Sequence, residues 1–215
     1  MKDILLKPVR AFISRLRENE RKRNRLRLTN KSPSIISSNC VGGIICHDLK
    51  IPFNSPTVGL CFSDADFIRF VTHLREYLES DLTEVKDSGK EFPVGRLSND
   101  HGEVDILFMH AADFAEAKEK WVRRSGRVDF DNLFVVWESP SGCSAELMEQ
   151  FRELEFRNKV ILTDEKGEFS LPLGIYGDGY RSGKILFYEN RMSTRRYLDR
   201  FDYVRFLNSG DIALR

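Results

Sequence analysis

The stretch SIISSNCVGGIICHDL, residues 34–49, decides the fold class. Ser34–Ser37 is a short apolar run, SNCVGG (38–43) is a turn of small residues, and IICHDL (44–49) continues as a short helix. A strand that passes through small residues into a helix opens a β–α unit. The same alternation recurs downstream. TVGLCF (57–62) reads as a buried strand. Ser63 with Asp66 reads as a capped helix start, and Phe67, Phe70, Val71, Leu74 and Leu78 then share one face. Thr83–Val85 is a short strand and KDSGKEFPVG (86–95) a loop or hairpin. VDILFMH (104–110), NLFVVWE (132–138) and KVILTD (159–164) are strands. Asp113 caps a helix through Arg124, and residues 141–154 form another. Two apolar runs flank GDGYRSG (177–183), and Ser193 is placed to cap a last helix carrying Tyr197, Phe201, Val204 and Leu207. This order predicts an α/β domain of three layers, α/β/α, with a mixed, largely parallel sheet.

Working outward to the N-terminus, Leu5, Val9, Phe12, Ile13 and Leu16 recur at helical spacing, with a start expected near Pro8. Residues 1–31 hold eleven Lys and Arg against three acids, about +8, so a total of +1 leaves about −7 for the rest. The division is therefore a basic amphipathic helix and linker, 1–31, and one α/β domain, 32–215. A Phe/Leu/Ile face beside a Lys/Arg face suits an anionic bilayer surface, here through residues 5–27. The alternatives are a helix packed on its own domain and a nucleic-acid contact by residues 15–31; sparse aromatics there disfavour nucleic acid. No apolar run reaches the length of a membrane span, no secretory segment is evident, and Cys40, Cys46, Cys61 and Cys143 form no CxxC pair. The expectation is a cytoplasmic protein with reduced thiols, peripheral on the inner face of the cell membrane.

Three groups of residues could carry chemistry. Backbone amides of the turn Asn39–Gly43, with Cys40, Gly42 and Gly43, could hold a phosphate at a helix start, although neither GxGxxG nor a P-loop is present. His47 and Asp48 are candidate general bases, with Ser55 and Thr57 downstream as substrate contacts. Lys120, Arg123 and Arg127 lie in a cationic helix with Trp121 and Arg124, just after His110, and could stabilise a diphosphate. Two DxD pairs, Asp64/Asp66 and Asp129/Asp131, could in principle hold a divalent ion. The first is explained by helix capping and the second precedes a strand, so no metal ligand and no cofactor is assigned. GxSxG, HExxH, EF-hand and kinase signatures are absent.

The stretches SSNCVGGIICHDLKIPFNSPTVGLCF (37–62), PVGRL (93–97), DILFMH (105–110), AKEKWVRRSGRV (117–128) and DNLFVVW (131–137) together resemble a bacterial family of unknown function whose members are often labelled exopolysaccharide or capsule biosynthesis proteins. The resemblance implies work in polysaccharide assembly. Joined to the basic helix, it suggests a glycosyltransferase that moves a sugar from a nucleotide sugar to a lipid-linked saccharide at the membrane. The other reading is a non-catalytic module that docks biosynthetic partners to the bilayer.

Overall fold

The computed structural model describes residues 2–139, 143–164, 167–175 and 183–215, with side chains described from residue 8. In chain order the elements begin with α1 (Lys2–Arg27), β1 (Ser34–Ser37), α2 (Val41–Leu49), α3 (Asp64–Thr72) and α4 (Leu74–Glu79). A meander follows, β2 (Leu82–Glu84), β3 (Val94–Asn99) and β4 (Gly102–Leu107). Then come α5 (Phe114–Ser125), β5 (Leu133–Glu138), α6 (Ala145–Glu153), β6 (Lys159–Thr163), β7 (Ser170–Pro172) and α7 (Tyr203–Ser209).

These strands make two sheets. One is parallel, in the order β1-β5-β6-β7, and the other is the antiparallel β2-β3-β4. The single mixed sheet expected from the sequence is thus divided. The reason lies in residues 57–62, which do not form the expected strand. Pro56 removes a donor, Gly59 takes φ +78°, and the remaining polar groups go to different neighbours. Thr57 Oγ1 accepts from the Ser37 amide at 3.0 Å and so covers the open edge of β1. Cys61 exchanges two 2.9 Å hydrogen bonds with Leu107, and the Phe62 amide donates to Ser38 at 3.0 Å. The segment ties one sheet to the other without belonging to either.

Strand β5 is buried at all six positions, as its continuous apolar run requires of a central parallel strand. Alternation along the sheet serves two cores. Ile35, Phe134, Val136, Val160 and Leu162 pack with α2 and α7. Ile36, Val135, Trp137 and Ile161 pack with α3, α5, α6 and the antiparallel sheet. Trp137 has no exposed surface, and truncating such a side chain to alanine costs about 3–5 kcal/mol.

Helix α1 runs from Lys2 and includes Pro8, earlier than expected. Its apolar stripe is shared between two surroundings. Ile13, Asn24 and, just past the helix, Leu28 are buried against the domain, whereas Phe12 and Leu16 face solvent. The Asn24 amide donates to the Tyr203 hydroxyl at 2.9 Å, and Arg27 pairs with Asp202 at 2.5 Å. The last helix starts from an Asp202 cap, not from Ser193, whose hydroxyl instead accepts the Arg195 amide in a local turn. Residues 177–182 of GDGYRSG, residues 141–142 of the helix expected at 141–154, and the Leu5 side chain lie outside the described residues.

Candidate functional site

Strands β1 and β5 pair in parallel from Ser34 with Leu133 to Ser37 with Val136, so their carboxyl ends lie side by side. In open parallel sheets ligands bind at that end. There Ser38 Oγ accepts the Glu138 amide at 3.1 Å, and the Asn39 side-chain amide donates to the Glu138 carboxylate. Beside them the Trp137 indole donates to Asp64 at 2.8 Å. Burial raises the Asp64 carboxyl above its usual range, against the opposing hydrogen bonds from Trp137 and Cys143.

The turn after β1 supplies its own cap. The Val41 amide donates to Asn39 Oδ1 at 3.0 Å and the Gly42 amide to Ser37 Oγ at 3.1 Å. These are the first amides of α2, the ones a bound anion would take. The phosphate cradle expected at Asn39–Gly43 is therefore occupied by the chain itself. The glycines serve close packing: a Cβ on Gly42 would lie 2.6 Å from Ser37 Oγ, and one on Gly43 would lie 3.1 Å from Val58 Cγ1. Cys40 points at the Leu60 carbonyl, and burial, then Glu138, push its thiol up, away from a nucleophile's range. Ser55 and Thr57 are buried and bonded to each other at 2.9 Å.

His47 and Asp48 lie in the last turn of α2, roughly 10 Å along the helix from the turn at about 1.5 Å per residue. The structure does not bring them to the strand ends. His47 is exposed. Asp48 is 2 % exposed and is held by Arg21 at 3.0 Å and Arg196 at 2.5 Å. A carboxylate so paired and shielded is a structural counter-ion and has no route to a substrate hydroxyl.

The cationic helix gives a different result. His110 and Lys120 open onto one cavity of about 200 Å³, together with Val58, Gly59 and Arg124. The Arg124 guanidinium donates to the Val58 carbonyl at 3.3 Å and stands over Phe53 at 5.4 Å from the ring centre. Among the described residues no carboxylate pairs with it. Burial, then repulsion from Arg123 and Arg127, disfavours its charge, which an arginine nonetheless keeps. Lys120 is paired with Glu116 at 2.5 Å, and Arg123 with Glu119 at 2.8 Å; Arg123 and Arg127 are exposed outside the cavity. The Val58–Cys61 segment runs between this cavity and the strand ends, since Val58 packs on Gly43, Leu60 faces Cys40 and Gly59 adjoins His110.

Neither DxD pair assembles a metal-ligand cluster among the described residues. Asp66 bonds Ser63 in the α3 cap, and Asp129 accepts the Asp131 amide in a local turn. Glu138 is the acid at these strand ends that the sequence did not single out, and Asp64 was named there only as half of a DxD pair. The available signal was an acid closing the otherwise apolar run LFVVWE.

Residues 12–208 match the family described as Domain of unknown function (DUF1919). The chain is also similar to an uncharacterized protein of Haemophilus influenzae, 36 % identical over 211 residues, which cover 97 % of this chain and 96 % of that protein. With this span and this identity, the chain belongs to the DUF1919 family.

Proposed function

We propose that the chain is a glycosyltransferase of surface-polysaccharide assembly that takes the diphosphate of a nucleotide sugar in the cavity under α5. One observation carries the ligand class. Arg124 is half-buried, has no carboxylate partner among the described residues, and opens on the same cavity as Lys120 and His110. A buried cation among other cations is costly until an anion joins it. The cavity, about 200 Å³, is smaller than the roughly 300–1,000 Å³ that encloses a whole ligand. It therefore takes a phosphate group, and the rest of the donor lies over residues 58–62 toward Asn39 and Glu138. His110, exposed at the cavity, is the group that exchanges a proton with the acceptor. Glycosyl transfer and the lipid-linked acceptor rest on the resemblance of residues 37–62, 93–97, 105–110, 117–128 and 131–137.

Membrane contact belongs to this reading in a narrower form than the whole of residues 5–27. Arg21, Arg25 and Arg27 are engaged with Asp48, Glu18 and Asp202. Phe12 and Leu16 stay exposed on α1, and Met192 is exposed beside the same helix. No described helix is long and apolar enough to cross a membrane. We place the protein on the inner bilayer surface through this patch.

The test is calorimetry of the purified chain with a panel of nucleotide sugars, nucleoside diphosphates and pyrophosphate. Binding that weakens at least tenfold in Arg124→Ala, and not in Arg123→Ala, supports the site. A wild-type chain that binds none of them removes the transferase reading.

A further inference from the structure

The antiparallel sheet and the two helices beside it hold a second polar cluster, which shares no residue with the cavity under α5. His73 sits at the junction of α3 and α4, Glu76 lies three residues on in the first turn of α4, and His101 is at the tip of the β3–β4 hairpin. The two imidazoles stack face to face, with ring centres 3.5 Å apart and planes inclined by 5°. One ligand atom from each of the three side chains lies within 4.8 Å of the others.

The backbone under these side chains is fixed. The Tyr77 hydroxyl donates to the Gly102 carbonyl at 3.2 Å, and the Arg69 guanidinium donates to the Glu103 carbonyl at 2.8 Å. Asn99 bonds Ser80 at 3.3 Å and also accepts the His101 amide at 2.8 Å. The hairpin tip is therefore held on the helix junction from several points, and only the side chains remain to adjust. Arg69, the nearby cation, is turned to Glu103 and, at 3.7 Å, to Asp66.

We propose that His73, Glu76 and His101 form a binding site for a borderline divalent cation, zinc in the first instance. Two imidazoles and a carboxylate are a recurrent zinc donor set, and imidazole donors favour zinc, cobalt or nickel over magnesium or calcium. Ligands bound at about 2.0–2.1 Å around a tetrahedral ion stand about 3.4 Å apart. The present spread, within 4.8 Å, must contract by at most about 1.4 Å, which side-chain rotation supplies because Glu76 and His101 are exposed. Three protein ligands leave one position for water. The bound ion would join the hairpin to the helix junction, adding a link to the hydrogen bonds, stacked rings and apolar packing already there.

The measurement is zinc binding to the chelator-treated, full-length protein by calorimetry and thermal unfolding, repeated with cobalt to read its visible spectrum. One ion per chain is expected, with a higher unfolding midpoint and a cobalt spectrum free of thiolate charge-transfer bands. His101→Ala, at an exposed hairpin tip, should weaken affinity at least tenfold and abolish the rise in midpoint; His47→Ala should change neither. The proposal is overturned if the wild type binds no zinc, or if His101→Ala binds as tightly as wild type, which would assign the ion to cysteines or to another surface group. None of these outcomes depends on nucleotide-sugar binding under α5.

Discussion

The Arg196 guanidinium closes on the Asp48 carboxylate at 2.5 Å across 148 positions of sequence. Arg21 reaches the same carboxylate from α1 at 3.0 Å, and Asp199 holds the other side of Arg196 at 2.7 Å. One buried acid therefore joins the first helix, α2 and the C-terminal segment. Asp48→Ala should lower stability by roughly 3 kcal/mol, because Arg196 stays buried with one partner fewer. Urea unfolding reads this directly, and a midpoint equal to wild type would refute it.

Tyr203 makes the alkaline limb of the stability profile. Burial, then the Asp199 carboxylate, push its phenol up to about 12. In the unfolded chain a tyrosine ionises near 10. Its contribution is complete below about pH 10 and is lost as pH rises toward about 12, amounting to roughly 2–3 kcal/mol. Tyr203→Phe should flatten that part of the curve. Cys46 titrates in the same region, so the comparison must be of slopes between the two proteins.

Gly42→Ala should cost about 1–3 kcal/mol, since the new Cβ meets Ser37 Oγ at 2.6 Å and displaces the hydroxyl that caps α2. Gly89→Ala is the control for space, having no neighbour within 4 Å, although its φ of +66° carries strain of its own. Thermal unfolding of both variants separates crowding from backbone strain.

The thiols should be slow. Burial pushes Cys46 up to about 12, and burial with Cys40 as neighbour pushes Cys61 up to about 11. Thiolate is the reactive form, so at neutral pH Cys61 should react with an aromatic disulfide reagent roughly a hundredfold more slowly than an unperturbed thiol. Cys46 should wait for unfolding. A fast-reacting cysteine in the native protein would contradict the burial described here.

Membrane contact through the exposed α1 patch can be read by flotation with vesicles rich in anionic lipid. The wild type should float at low salt, and Phe12→Asp with Leu16→Asp should leave the protein at the bottom of the gradient while its circular dichroism is unchanged. A wild type that never floats would remove the bilayer from the proposed function.

Much of the fold was legible because the relevant signals are local. The apolar run of β5, the Ser63 and Asp113 caps and the small-residue turn after β1 each lie within a few residues. What was not legible depends on pairing across the chain. TVGLCF has a strand's composition, yet its hydrogen bonds go to Ser37, Ser38 and Leu107, and no window of sequence shows that. Asp48 looked like a base beside His47 because its partners, Arg21 and Arg196, are distant in sequence. The partners of Arg21 and Arg27 in the basic run, Asp48 and Asp202, are hidden for the same reason. In the cationic helix the sequence named His110, Lys120, Arg123 and Arg127 together, whereas His110, Lys120 and Arg124 line one cavity, because only the helix phase relative to Val58 tells which arginine turns inward.

The bond from Asn24 to Tyr203 also bears on how the molecule is made. The two residues are 179 positions apart, which a ribosome covers in roughly 10–35 s at about 5–20 residues per second. Throughout that interval α2 can already offer Asp48 to Arg21, while the part of the docking surface built from Asp202 and Tyr203 is still untranslated. The nascent chain therefore carries Asn24 and Arg27 without their partners, and final closure of the fold must await residues 202–203.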